Sequence, residues 1–363
     1  MANWSLHFNV RCRKGLASLG SPLLPPRMSN VSTSPHLSTS SVAAKLHPQR
    51  AARHPHSAWL WIMLLGAGML LGAVLVGLIA FTSVTPPYDQ AFVRLTSLQL
   101  AAVNPHLLPF MAHDRVTLAG TMLSLGVIYG QLALHAMSKG EHWAMWVVLV
   151  SGGVGFASFF LFLGFGYFDP LHAIVTAVLF LYFLLGLRAW FKENRVQAVS
   201  CLWERPDRPG PLWGQVLLLL AGLGMSAAGM VIAVLGATTV FVPEDFVFLQ
   251  TTSTGLHAVN SHLIPLIAHD RAGFAGALLA DGLGILLMVL WGFRPEARWL
   301  WWTLLGAGLC VCVPAVGIHL LVGYTSFSHL APVLSGAFLY SLGLIFSYSF
   351  LHRNSEAFQE SRK

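Results

Sequence analysis

Long apolar segments alternate with short polar segments from residue 58 to residue 351. Crossing a bilayer as a helix takes roughly 20 apolar residues, and eight segments meet that length. The pattern therefore predicts eight transmembrane helices, near Ala58–Phe81, Phe110–His135, Trp143–Phe165, Leu171–Leu187, Trp213–Val240, Leu266–Trp291, Trp299–Val322 and Leu330–Phe350.

The composition agrees with an all-α integral membrane protein embedded in a lipid bilayer. Hydrophobic residues make up 55% of the chain and charged residues only 10%, whereas about a quarter of a soluble domain is charged. The net charge of +7 does not indicate a nucleic-acid partner, because residues 1–57 hold seven Lys/Arg and no Asp or Glu. That segment, rich in Ser, Pro and His, is predicted to be a disordered cytoplasmic tail. It could instead be a transit-like leader, or Met28 could be the first residue.

The distribution of Lys and Arg predicts the orientation, since basic loops stay on the cytoplasmic side. With the N-terminus inside and eight spans, 18 of the 21 Lys/Arg fall in inner segments. The outer segments hold only Arg94, Arg115 and Arg271. We therefore expect both termini in the cytoplasm, and the plasma (inner) membrane of a bacterium as the location.

The second half of the chain repeats the first. "NPHLLPFMAHDR" at residues 104–115 returns as "NSHLIPLIAHDR" at 260–271, and residues 100–126 share 15 of 27 positions with the segment 156 residues later. Further on, "GYFDPLH" (166–172) aligns with "GYTSFSH" (323–329). A repeat of this length indicates gene duplication.

Four spans in each half make the two halves parallel. The sequence predicts two four-helix bundles related by an axis along the membrane normal. The predicted boundaries are a basic tail at 1–57, repeat 1 at 58–190, a polar cytoplasmic linker at 191–210, repeat 2 at 211–351 and a C-terminal tail at 352–363. The Gly-rich stretches 66–72 and 151–155 indicate close helix packing.

Four histidines recur at matched positions near the predicted outer boundary. His113 and His172 fall on the second and fourth spans of the first half, and His269 and His329 repeat them in the second half. Polar groups in a membrane usually face the bundle interior. We therefore expect each half to bring its own two histidines together as ligands, although satisfied structural histidines explain the pattern equally well.

Imidazole nitrogens suit transition metals and haem iron. Two histidines across a bundle predict bis-histidine haem b, and two with a carboxylate predict an open metal site. Nearby polar residues are candidates for orienting the ligands: Asp89, His106, Asp114, Arg115, Asp245, His262, Asp270 and Arg271. A structural alternative for the repeated Asp-Arg is an Asp at a helix N-terminus and an Arg reaching the headgroups. The matched Tyr167 and Tyr324 are predicted to be interfacial anchors.

Some ionisable residues have no counterpart in the other half. Asp281 lies opposite Leu125, Asp169 opposite Ser326, and His319 opposite an apolar position near Leu163. A buried Asp281 with His319 could form a proton relay. Cys310 and Cys312 are expected to be core residues.

The histidines at the outer ends of helices two, four, six and eight resemble those of haem A synthases, which are eight-span proteins with two four-helix halves. Arg115 and Arg271 are similar to the His-Arg of that family. The sequence departs from the family because Asp114 and Asp270 separate His from Arg, and because the outer loop has neither the catalytic Glu motif nor a Cys pair. The resemblance implies an architecture and no activity. The HDR repeat also looks like that of a group of uncharacterised bacterial multi-pass membrane proteins, which implies no activity either.

Three functions remain open. The first is a haem- or metal-binding redox protein with a quinone or membrane redox partner. The second is a transporter, although transport sites usually lie near the midplane. The third is a non-catalytic assembly or partner-binding protein. No nucleophile motif or phosphate loop predicts a particular reaction.

Overall fold

The computed structural model describes residues 57–162, 166–193 and 209–353, all of them helical or in turns. The predicted tails and linker lie almost entirely outside the described residues. The helices are α1 Ala58–Thr82, α2 Pro87–Val93, α3 Ser97–Val103, α4 Leu107–His135, α5 His142–Phe162, α6 Pro170–Glu193, α7 Pro209–Ala237, α8 Pro243–Leu249, α9 Ser253–Val259, α10 Leu263–Gly292, α11 Arg298–Val322 and α12 Phe327–Leu351, with a 3₁₀ turn at Met137–Lys139.

Eight helices in this part of the chain are long and apolar enough to cross a membrane: α1, α4, α5, α6, α7, α10, α11 and α12. The prediction of a multi-pass membrane protein is thereby confirmed. Helices α4 and α10 begin three residues before the predicted Phe110 and Leu266. Pro109 and Pro265 occupy their first turns, where the missing N–H has no intrahelical partner to lose.

The loops before α4 and α10 contain four short helices, α2, α3, α8 and α9, which were not predicted. Pro87 and Pro243 stand at the first helical position of α2 and α8, where a fixed φ favours helix initiation. Thr96 and Gln99 cap α3 reciprocally. These local signals lie in a polar stretch without helical periodicity.

Helices α4 and α10 pack against each other at the centre of the assembly. Helix α4 also contacts α1 and α11, and α10 contacts α7 and α5. Thus α5 and α11, the third span of each half, pack against the second span of the other half. The two halves interlock through these contacts, while their parallel relation stays a prediction.

Glycines permit the closest approaches between the long helices. A Cβ on Gly66 of α1 would lie 2.8 Å from the amide nitrogen of Gly130 in α4, and one on Gly229 of α7 would lie 2.5 Å from that of Leu279 in α10. The close packing predicted for residues 66–72 is therefore present. In residues 151–155 close packing is present at Gly152, where an added Cβ would lie 2.8 Å from the Phe183 ring. It is absent at Gly153, where an added Cβ would meet no atom within 4 Å.

The short helices of the two halves meet at one end of the assembly, called the short-helix face from here on. Asn104 Nδ2 donates to the carbonyl of Leu249 at 2.8 Å, and Asn260 Nδ2 donates to that of Val93 at 2.5 Å. An apolar cluster beneath them joins both halves, with Leu100, Phe110, Phe241, Leu256 and Leu263 fully or nearly buried. Each half thus fixes the other half's loop.

Candidate metal centre

Three histidines converge below the short-helix face and form the triple-histidine cluster. His113 comes from α4, His319 from α11 and His329 from the first turn of α12. One ring nitrogen of each lies within 4.8 Å of the others, and His113 and His319 are buried. The Nε2 atoms of His113 and His319 are 3.0 Å apart.

Hydrogen bonds fix the tautomers of two of these rings. His319 Nδ1 lies 2.5 Å from the carbonyl oxygen of Ala315, which can only accept, so Nδ1 donates. His113 Nδ1 donates to Asp114 Oδ1 at 3.0 Å. In the neutral rings both Nε2 atoms then carry lone pairs that face each other. A cation between them relieves that repulsion, and a carboxylate behind His113 is the usual support of a metal-binding histidine.

A second group, the Asp–His–His cluster, consists of Asp169, His172 and His269. Its ligand atoms also lie within 4.8 Å of one another. His172 Nδ1 and His269 Nε2 are 3.2 Å apart. Two imidazoles and one carboxylate form the ligand set of many non-haem iron sites.

Asp169 also has a structural role. Its Oδ1 accepts the backbone N–H of His172 at 2.9 Å, as expected of a residue that caps the start of α6. The same carboxylate is also one of the possible metal ligands of the cluster. Burial raises the pKa of the Asp169 carboxyl, and nearby Asp89 adds to that rise.

A buried ionic network lies between the two clusters. Arg115 Nε donates to Asp270 Oδ2 at 2.8 Å, and Arg115 Nη2 donates to Asp89 Oδ2 at 2.8 Å. Arg271 repeats the arrangement, with Asp245 Oδ2 at 2.6 Å and Asp114 Oδ2 at 3.5 Å. Two guanidinium groups therefore meet four carboxylates, which leaves a formal excess of two negative charges in this network.

Strained backbone supports both arginines. Val84 and Val240 have φ angles of 51° and 65°, a region that β-branched residues rarely adopt. Their carbonyls accept from Arg115 Nη1 and Arg271 Nη1. The sequence signal for these positions was their repetition: Val84 recurs as Val240, and Asn104, which binds the other half's loop, recurs as Asn260.

Tyr167 and Tyr324 were predicted to be interfacial anchors, and that prediction is wrong. Both are buried, with 4% and 2% exposure, and their hydroxyls donate to Asp89 and Asp245. Burial raises the pKa of both phenols, with the carboxylates adding to the rise, so both remain donors.

The structure pairs the four repeated histidines differently from the prediction. His113 was expected beside His172 and His269 beside His329, but His113 lies with His329, and His172 with His269. The reason is the packing of the third spans. Because α11 lies on α4 and α5 on α10, the starts of α12 and α6, which come next in the chain, lie beside the second span of the other half.

Four of the residues that were predicted to orient the histidine ligands have partners other than those histidines. His106 and His262 pack on Phe248 and Phe92, at ring-centroid distances of 5.3 and 4.8 Å, and belong to neither cluster. Asp89 and Asp245 bind arginine and tyrosine, not histidine.

The proposed relay residues also have other partners. His319 joins His113 and His329. Asp281 is fully buried and accepts from Ser124 Oγ at 2.7 Å. Cys310 and Cys312 are free and half-buried.

Comparisons with known protein families, curated proteins and solved structures gave no match for this chain. The resemblance to haem A synthases therefore stays an expectation. The chain is a multi-pass membrane protein whose buried histidine clusters could hold a metal ion.

Proposed function

We propose that this protein binds two transition-metal ions below its short-helix face and serves in membrane redox chemistry. The observation that carries the proposal is the pair of Nε2 atoms, on His113 and His319, that face each other at 3.0 Å while both Nδ1 atoms donate elsewhere. Tetrahedral coordination at a metal–nitrogen distance of about 2.05 Å separates two ligand nitrogens by roughly 3.3 Å. Small movements of the rings suffice to reach that spacing.

The charge balance supports cations at this place. Buried charges require partners, and the network has two carboxylates more than guanidinium groups. Asp169 adds a further acidic group at the Asp–His–His cluster. Divalent ions would compensate this excess within a region that water reaches poorly.

The ligand types favour different metals at the two clusters. Three imidazoles suit zinc or copper, and two imidazoles with a carboxylate suit ferrous iron with open coordination positions. Iron at Asp169, His172 and His269 would supply the redox chemistry. With the orientation predicted from Lys and Arg, both sites are near the outer side of the membrane.

Bis-histidine haem fits these distances less well than a bare ion. Axial nitrogens on opposite faces of an iron are about 4 Å apart at metal–nitrogen distances of about 2.0 Å, and the porphyrin lies between them. The paired nitrogens here are 3.0 and 3.2 Å apart. We therefore favour a metal ion over haem b.

Transport is the second candidate, and one observation favours it. Asp281 is buried on α10, ten residues beyond Arg271 and hence about 15 Å further along the helix. An acidic residue at such depth is a common feature of ion pathways. The absorption and metal experiments below separate this candidate from the first.

The test is metal analysis and absorption spectroscopy of the detergent-purified protein beside two variants, His319→Ala and His172→Ala. We expect each variant to lose the metal of one cluster and retain that of the other. His257→Ala, on the exposed side of α9, is the control and should retain both. Metal-free wild-type protein from metal-supplemented cells, or metal content unaffected by either variant, would overturn the proposal. A Soret band lost with His113→Ala would favour haem instead.

A further inference from the structure

A cavity of about 160 Å³ lies beside the Asp–His–His cluster, between α1, α4, α5, α6 and α10. Along α4 its lining runs from Arg115 to Tyr129, which is about 21 Å at 1.5 Å per residue. The hydrocarbon core of a bilayer is about 30 Å thick. The cavity is therefore a slot that extends along the helices and is partly open to their surroundings, so a ligand need not lie wholly inside it.

Polar and apolar groups occupy opposite ends of this slot. Tyr88, Arg115, Asp169, His172 and Asp270 line the end near the short-helix face. The remaining length is lined almost entirely by apolar side chains, among them Leu65, Met69, Met122, Phe156, Val175 and Leu179. This distribution fits a molecule with one small polar headgroup and one long hydrocarbon chain.

The charges at the polar end select a neutral headgroup. Arg115 is already bound by Asp89 and Asp270, so it offers no free positive charge to an anionic headgroup. The Tyr88 side chain lines the cavity, and burial with nearby Asp169 raises the pKa of its phenol. It therefore remains a donor, suited to a neutral carbonyl oxygen.

We propose that the slot binds an isoprenoid quinone, with the ring between Tyr88 and His172 and the chain between α1 and α6. The ring carbonyls accept hydrogen bonds, the ring is uncharged, and the chain matches the length and polarity of the slot. A redox role for this site rests on the proposed function, because the quinone would lie beside the Asp–His–His cluster, which is proposed to hold iron. Binding itself requires only the cavity.

The experiment measures binding of decylubiquinone to the full-length protein in detergent by equilibrium dialysis, with metal content determined on the same samples. Val175→Trp fills the slot, and Val178→Trp, on the exposed side of the same helix, is the matched control. We expect at least a tenfold loss of affinity for the first and none for the second. Tyr88→Phe removes a single hydrogen bond and should weaken binding about five- to tenfold. It keeps the test valid if Val175→Trp misfolds, and Tyr348→Phe is its control.

The outcomes for the two proposals differ. Wild-type protein that holds metal but does not bind decylubiquinone would overturn the quinone site and leave the metal sites in place. Protein that binds decylubiquinone in a Val175-dependent manner without any metal would support the quinone site and overturn the proposed function. Oleate that displaces decylubiquinone at equal concentration would overturn the selection of a neutral headgroup, and with it the assignment to quinone.

Discussion

Arg115 and Asp270 come from different copies of the same His-Asp-Arg repeat, and they bind each other. Arg115 Nε donates to Asp270 Oδ2 at 2.8 Å, and the reciprocal pair, Arg271 Nε and Asp114 Oδ2, is 3.5 Å apart. Each copy thus supplies the cation for the anion of the other. The crossed pairs explain why Asp and Arg occur side by side twice, because each copy must provide one group of both kinds.

The first prediction concerns this crossed pair. Arg115→Met leaves Asp270 and Asp89 without their cation inside the protein, and loss of one partner of a buried ion pair costs about 3–5 kcal/mol. We expect a loss of that size in the free energy of unfolding, measured by SDS titration. The exposed Arg94→Met should change it by less than about 0.5 kcal/mol. Equal effects of both variants would contradict a role for the pair.

Asp114→Asn should weaken the metal site of the triple-histidine cluster without removing a ligand. The carboxylate holds His113 Nδ1–H at 3.0 Å, and loss of such support typically lowers metal affinity 10–100-fold. Titration against a competing chelator measures the affinity, with Glu244→Gln on the same face as the control. Unchanged affinity in Asp114→Asn would show that the hydrogen bond from His113 Nδ1 to Asp114 does not support metal binding by His113.

Asn104 and Asn260 should matter for stability, although neither belongs to a cluster. Each side chain bonds a backbone carbonyl of the other half's loop, and an unsatisfied buried acceptor costs about 1–3 kcal/mol. We expect Asn104→Ala and Asn260→Ala each to lower the thermal unfolding temperature in detergent, and His257→Ala to leave it unchanged. Tolerance of both substitutions would mean that the loops are held by the apolar cluster alone.

Gly229→Ala should disturb the packing of α7 on α10. The added Cβ would lie 2.5 Å from the backbone nitrogen of Leu279, so the helices must separate, at a cost of about 1–3 kcal/mol. Gly153→Ala meets no atom within 4 Å and serves as the matched control. Identical unfolding curves for the two variants would refute the close approach.

Asp281 should carry a proton. It is fully buried, Ser124 donates to one oxygen, and the other has no hydrogen-bond partner among the described residues. A buried carboxyl without a cationic partner is neutral, because an isolated charge is too costly there. Infrared spectroscopy should detect a protonated carboxyl band at neutral pH that is lost in Asp281→Asn. That variant should also unfold within about 1 kcal/mol of wild type, and an ionised Asp281 would show neither result.

The sequence predicted the elements that depend on local properties. Apolar length located the eight candidate spans, and the proline positions explain why α4 and α10 begin slightly earlier than expected. The short helices escaped prediction because their signals, a proline at the first position and a Thr–Gln cap, lie within a polar stretch. Tyr167 and Tyr324 were misinterpreted because interfacial and buried tyrosines look alike in a sequence.

The sequence by itself determined the class of the protein, since hydrophobic length is a property of each segment alone. Duplication also singled out His113, Asp114, Arg115 and their copies as candidate site residues, but not Asp169 and His319, which have no counterpart in the other half. Only the tertiary structure decided which of these residues meet. The packing of α11 on α4 and of α5 on α10 joins His113 to His319 and His329, and His269 to His172 and Asp169. That choice depends on side-chain contacts between helices far apart in the chain, and no spacing within either half encodes it.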